Sequence, residues 1–193
     1  MKNFPSALIV MTLVSALVPV ASAASQETLA SASATQTRTR AIVASFNKSK
    51  HVVKEKHGVR REKYKDVRSE AVVKANPQDY SGTYEVPDMG FAIQLRVDRN
   101  GNVDGTGYEP SSPDLSVRRR FALRNGRIEG ALLTATQVYA NGTQDRFEGV
   151  FIKRTSYDSP TDKGTTEIGL GVVGKDIGVA GVTINRLFYQ LKE

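Results

Sequence analysis

The sequence predicts a mainly β protein, in which an antiparallel meander of about eight strands closes as a small barrel or folds as a sandwich. A basic, partly helical N-terminal arm precedes it. Apolar and polar residues alternate over 91–98, the pattern of a strand with one buried face. Asn-Gly pairs at 100–101, 125–126 and 141–142 lie between β-type runs, and Asn-Gly is the strongest short signal for a hairpin turn. Because no helical pattern intervenes, consecutive strands are expected to pair as neighbours.

Eight β-type runs follow Pro77, each bounded by turn residues. They are Gly82–Val86, Ala92–Asp98, Val103–Tyr108, Val117–Arg124, Arg127–Ala140, Arg146–Arg154, Thr165–Val172 and Val179–Leu191. In the fourth run, Arg118 and Arg120 alternate with Phe121 and Leu123, so arginines are expected on the face opposite the core. In the last run the apolar phase slips by one near 184–187, which predicts a β-bulge or a bend.

The first 23 residues have the composition of a cleavable signal peptide. Lys2 supplies the positive start, residues 7–20 form an apolar run, and Ala21-Ser22-Ala23 is a small-residue cleavage site before Ala24. The 14-residue run is shorter than the ~20 residues that a permanent bilayer span needs. We therefore expect an exported protein, periplasmic or extracellular, with no transmembrane span after signal cleavage.

The chain divides by composition after the signal peptide. Residues 24–37 are small and polar and are interpreted as a flexible linker. Residues 38–76 form the basic arm, in which a helix is expected from about Val59 to Lys74. Between Arg38 and Lys74 there are twelve Lys and Arg residues against four carboxylates. Residues 77–193 form the antiparallel β domain, which is close to neutral, so the net charge of +7 belongs to the arm.

Two groups of cations are candidates for anion binding, one in the arm and one in the β domain. They are Arg60, Arg61, Lys63, Lys65, Arg68, Arg118 and Arg120. The partners they would fit are an anionic envelope polymer or a lipid surface. Nucleic acid is not expected, because the protein is predicted to be exported and lacks Trp for base stacking. The alternative is a solvated spacer whose charge only keeps the arm extended.

Composition and context exclude several kinds of site. The chain has no Cys, so thiol catalysis and zinc–thiolate clusters are excluded. Gly169, Gly171 and Gly174 have the spacing of a dinucleotide-binding turn, but no helix pattern follows, and glycines in a packed strand explain them better. Residues 98–102 begin like a calcium loop, but Val103 stands where that loop requires glycine. No cofactor, metal or catalytic residue is assigned.

Three functions remain open on the sequence alone. The first is a non-enzymatic β domain that binds a small ligand or an anionic cell-envelope component. The second is a hydrolase that uses carboxylates in a barrel mouth, with Glu129 and Glu148 as candidates. The third is a structural tether held to an anionic surface by its basic arm.

Overall fold

The computed structural model describes residues 21–86, 89–110, 117–175 and 183–191. The predicted signal peptide lies almost entirely outside this range. The chain forms two compact units, residues 1–33 and residues 34–193. The packing described below is that of the second unit.

One helix, one 3₁₀ turn and ten strands make up the described chain. In order they are α1 (Ala21–Ser45), β1 (Lys48–Lys56), β2 (Val59–Ala71), a 3₁₀ turn (Pro77–Tyr80), β3 (Gly82–Val86), β4 (Phe91–Val97), β5 (Asn102–Pro110), β6 (Arg118–Glu129), β7 (Leu132–Tyr139), β8 (Gln144–Tyr157), β9 (Thr165–Lys175) and β10 (Thr183–Gln190). None of the described helices has the length and hydropathy that a bilayer span requires.

Strands β3 to β10 close into an eight-stranded antiparallel barrel, which is the first of the two arrangements that the sequence left open. Each strand from β3 to β8 pairs with the next, β10 pairs with both β3 and β9, and β9 pairs with β8 to complete the circle. Closure leaves the barrel strands without a free edge. Alternate residues of each strand then face the interior, which is filled by aromatic and branched side chains.

Inward-facing glycines let large rings fill the barrel. A Cβ on Gly107 of β5 would collide with the ring of Phe121 on β6, and one on Gly105 would lie 2.8 Å from a backbone oxygen of β4. At the end opposite the mouth, Tyr80 stacks on Phe151 with ring centroids 4.2 Å apart. Its hydroxyl hydrogen-bonds to backbone groups of residues 72, 74 and 130. Tyr80 therefore ties the chain segments at this end of the barrel together.

The expected helix over Val59–Lys74 is wrong, because this segment is strand β2 of a hairpin with β1. His57 and Gly58 form its two-residue turn with φ of 54° and 73°, and positive φ at both positions is the geometry of a type I′ turn. β2 pairs with the second half of β8 from Asp66 to Ala71. It lies just beyond the N-terminal end of β7, which pairs with the first half of β8. The remainder of the hairpin has solvent on both faces, so it shows no apolar alternation.

The helical part of the N-terminal region lies earlier than the sequence predicts. Residues 24–37, interpreted as a linker, belong to helix α1. Near its end, Ile42 and Phe46 are buried on the outer face of the barrel against Val150, Ile152 and Leu187. This second apolar cluster explains why β10 is apolar on both faces. No bulge is needed near residues 184–187, because β9 and β10 pair in unbroken register from 183 to 189.

Two of the three Asn-Gly pairs form the expected hairpin turns. Asn100-Gly101 joins β4 to β5, and Asn141-Gly142 joins β7 to β8. Asn125-Gly126 does not end a strand: it forms a bulge within β6, where the pairing with β7 shifts register between Arg124 and Arg127. Asn125 has a φ of 51° there, and the turn follows at Gly130. Positive φ at Asn thus marks a bulge at this position instead of a turn.

Candidate functional site

The candidate site is a cavity in the mouth of the barrel, where β3, β5, β7 and β9 end and the following strands begin. Its volume is about 490 Å³, within the range of small-molecule sites. The connections 111–116 and 176–182 at this end lie outside the described residues. The apolar part of the wall consists of inward-facing side chains of five strands, chiefly Phe91, Ile93, Phe121, Phe147, Val172 and Phe188.

A buried polar network lies along one wall of the mouth. Arg119 Nη2 contacts Glu109 Oε1 at 2.5 Å, and the Tyr139 hydroxyl donates to the same oxygen at 2.8 Å. Gln137 Nε2 in turn donates to the Tyr139 hydroxyl at 2.7 Å. Glu109, Gln137 and Tyr139 are all less than one-tenth exposed. The buried polar atoms of Glu109, Gln137 and Tyr139 that form these bonds have partners, which lowers the cost of burying them, whereas Arg119 Nε is buried without one.

The network fixes the protonation of Tyr139. Burial raises the pKa of the Tyr139 hydroxyl above its ordinary value of 10.0, and the hydrogen bond to Glu109 raises it further. The Arg119 guanidinium also lies over the Tyr139 ring, with its carbon 3.9 Å from the ring centroid. This wall therefore presents a neutral phenol and a guanidinium whose charge is neutralised by Glu109.

Arg186 of β10 brings a second guanidinium into the mouth. It lies over the ring of Phe91 with its carbon 4.4 Å from the centroid, a cation–π geometry. Its Nε is buried and has no hydrogen-bond partner among the described residues. No carboxylate of the described chain lies within ion-pair distance of Arg186, in contrast to Arg119. Arg186 is thus an inward-facing cation without a counter-charge in the part of the chain described.

The cations that the sequence analysis selects lie outside this cavity, and the structure divides them among three surfaces. Arg61, Lys63 and Lys65 share one exposed face of β2. Arg60 and Arg68 lie on its other face, paired with Glu62 at 2.5 Å and with Asp66 at 3.0 Å. Arg118 and Arg120 lie on the outer face of β6. Two strands, β7 and β8, separate β6 from β2 in the sheet.

The two carboxylates considered for a hydrolase lie on the outer face of the barrel. Glu129 ends β6 and accepts a hydrogen bond from Thr35 of α1 at 2.8 Å. Glu148 of β8 is flanked by Arg146 at 3.5 Å and Arg38 at 4.0 Å. The structure does not bring this pair together in the mouth. The carboxylates that line the cavity are Glu109, which is ion-paired, Asp145 at the exposed rim, and Glu148, whereas Glu129 does not reach it.

The glycine and aspartate motifs have structural roles. The segment Gly169–Gly174 lies within β9, and Gly171 leaves room for the ring of Phe46, which a Cβ would approach to 2.8 Å. Asp98 accepts hydrogen bonds from the backbone of Asn100 and Asn102 at 2.8 Å, as expected of a hairpin turn. Across the described residues, no three His, Asp or Glu side chains cluster as a metal site would require.

Sequence reasoning missed the residues that form the mouth, although one signal was present. If Arg118 and Arg120 face outward, then Arg119 shares the inward phase of Phe121. By the same alternation, Arg186 is in phase with Phe188 on β10. A charged residue at a strand position that the alternation assigns to the buried face is the sequence signal of such a site. The pairing of Glu109 with Arg119 across two strands requires the register, which the sequence does not show.

Comparison with known proteins gives no relative for this chain. No family model, no curated protein and no solved structure matches it.

Proposed function

We propose that the barrel binds a small ligand with an apolar body and one anionic group, and that Arg186 receives the anion. The observation that carries this proposal is that Arg186, unlike Arg119 and Arg154, has no carboxylate partner among the described residues, while its Nε is buried and unpartnered. A guanidinium in a partly buried site is stabilised by an anionic hydrogen-bond acceptor, and planar groups such as carboxylate fit its fork of donors best. The anionic group of the ligand is thus expected to be the ion-pair partner that Arg186 lacks in the described chain.

The aromatic wall supports an apolar body for the ligand. Phe91 and Phe188 meet edge to face, with centroids 6.5 Å apart, directly beside the Arg186 guanidinium. A chain or ring packed there loses contact with water while its acid group remains at the guanidinium. Pockets that combine an apolar wall with a few polar groups are typical of small-molecule binding.

The experiment is a calorimetric titration with decanoate, decanol and decyltrimethylammonium, which share an apolar chain and differ in charge. We expect decanoate to bind more tightly than decanol, and the cation to bind most weakly. Replacing Arg186 by Met (R186M) should weaken decanoate binding roughly ten- to a hundred-fold, the range for a charged hydrogen bond. The affinity for decanol should change little, because the apolar wall remains.

Arg96→Met is the matched control, because Arg96 belongs to the same barrel but is exposed on the outer face of β4. It should bind decanoate as the wild type does. The proposal is wrong if R186M and R96M bind decanoate equally well, or if the cation binds as tightly as the acid.

The same proposal places the protein outside the cytoplasm. Its basis is the sequence of residues 1–23, with a positive start, an apolar run and a small-residue cleavage site. A mature chain that begins at Ala24 is the expected product.

A further inference from the structure

We propose that the β1–β2 hairpin carries a docking face for an anionic lipid bilayer. The register of the hairpin places residues 48, 50, 52, 54 and 56 of β1 on the same face as residues 59, 61, 63, 65 and 67 of β2. This face, called the cationic face below, holds seven Lys and Arg residues. They are Lys48, Lys50, Lys54, Lys56, Arg61, Lys63 and Lys65.

The charges of the hairpin are separated completely between its two faces. All four carboxylates of β1 and β2 lie on the face opposite the cationic face. They are Glu55, Glu62, Asp66 and Glu70. Arg60 and Arg68 share that face and are paired with Glu62 and Asp66, so their charge is largely neutralised. On the cationic face, by contrast, no residue of either strand can neutralise its neighbours. The sequence shows a basic segment, but only the register shows this separation.

The cationic face is exposed over its seven cations, whereas Val67 at its base is buried. All seven cations are exposed, and side chains on one face of a strand are spaced roughly 7 Å apart. Like charges at this spacing repel one another, and a dense anionic partner relieves that repulsion. Such a partner must reach both rows of cations at once.

The apolar residues of the cationic face favour a bilayer over a linear polyanion. Val59 is 56 % exposed beside the turn, and Val52 lies on the same face, so two aliphatic side chains can enter the headgroup region. The aromatic residues of the two strands, His51 and Tyr64, lie on the opposite face, so neither is placed to stack on bases that meet the cationic face. Lipid phosphates in a plane can bind several lysines together, and each lysine near the surface strengthens binding roughly five-fold.

The experiment is sedimentation of the full chain with phosphatidylcholine vesicles, pure or mixed with phosphatidylglycerol. Lys63→Gln/Lys65→Gln removes two charges from the cationic face, and Arg60→Gln/Arg68→Gln removes two from the opposite face. We expect binding only to the mixed vesicles. The affinity for mixed vesicles should fall roughly 30-fold in the Lys63→Gln/Lys65→Gln variant. In the Arg60→Gln/Arg68→Gln variant it should remain near that of the wild type. Thermal melts of both pairs check that each still folds.

Three outcomes would overturn the proposal. The first is an equal loss of vesicle binding in the two charge-matched pairs, and the second is equal binding to neutral vesicles. The third is binding to polyphosphate, with the same dependence on Lys63 and Lys65, in the absence of vesicle binding, which would assign the face to a linear polyanion. Free inorganic phosphate should not displace the protein from the vesicles. None of these readouts involves Arg186, so the proposed ligand site is tested separately.

Discussion

At the scale of single residues, the mouth of the barrel differs from the rest of the interior by its inward-facing charges. Arg119 is balanced by Glu109 within the chain, whereas Arg186 has no such partner among the described residues. The ion pair and hydrogen bond with Glu109 lower the cost of burying Arg119, although its Nε has no partner. The second cation lies against Phe91 and is the group whose electrostatics a ligand would complete. In the proposed ligand site, the Arg119 wall is therefore structural and the Arg186 wall receives the ligand.

Tyr139 gives the structural wall a measurable pH dependence. Because burial and Glu109 raise its pKa in the folded state, the unfolded chain releases the phenolic proton first as the pH passes about 10. The contribution of Tyr139 to the free energy of unfolding should therefore be complete below this pH and decrease above it. Tyr139→Phe should make that fall shallower by up to about 1.4 kcal/mol per pH unit.

The same variant is expected to be less stable at neutral pH by about 1–3 kcal/mol, because Glu109 and Gln137 each lose a partner. Urea unfolding followed by circular dichroism across neutral and alkaline pH measures both effects. If the free energy of unfolding falls with alkaline pH equally steeply in Tyr139→Phe and in the wild type, this hydroxyl is not the group that titrates.

At the scale of elements, the sequence predicts the barrel strands well and the hairpin badly, for one physical reason. A strand such as β4 has one face in the core, so its apolar residues alternate. The residues of β1 face solvent on both sides except near Val52, so the same pattern is absent there. The helix expected over Val59–Lys74 arises from a few apolar residues of β2 at helical spacing. Only the pairing with β8 from Asp66 to Ala71 shows that they belong to a strand.

Helix α1 contacts the barrel from Thr35 onward, and Phe46, directly after its last residue, is buried in the apolar part of that contact. Its ring is 6 % exposed and lies against Gly171, which has no side chain to displace it. Phe46→Ala should lower the free energy of unfolding by about 3 kcal/mol, since it empties an apolar site on the barrel surface. Gly171→Ala should also destabilise, because its methyl group would press on the ring.

The double variant Phe46→Ala/Gly171→Ala separates this contact from general effects of the substitutions. We expect it to be more stable than the sum of the two single changes predicts, because the added methyl occupies part of the space that the ring leaves. Denaturant unfolding of the wild type, the two single variants and the double variant gives the four free energies of this double-mutant cycle. Strict additivity would mean that Phe46 and Gly171 do not pack together.

At the scale of the whole molecule, the unit formed by residues 34–193 combines a closed barrel with an outside hairpin. The fold class is predictable from sequence, because hairpin turns and alternation define an antiparallel meander. Closure of the barrel is less predictable from sequence. It depends on the pairing of β10 with β3, two strands that lie far apart in the chain. The mouth arises only on closure, which brings Phe91 of β4 to Arg186 of β10.

The most direct test of the proposed ligand site is native mass spectrometry of the chain purified gently from its own host. The account predicts that the wild type carries an added mass, that this mass is released on denaturation as an acid with an apolar body, and that R186M lacks it while R96M keeps it. A bare chain in all three proteins, or a bound molecule that R186M retains, would contradict the assignment of the barrel mouth as an anion-binding site.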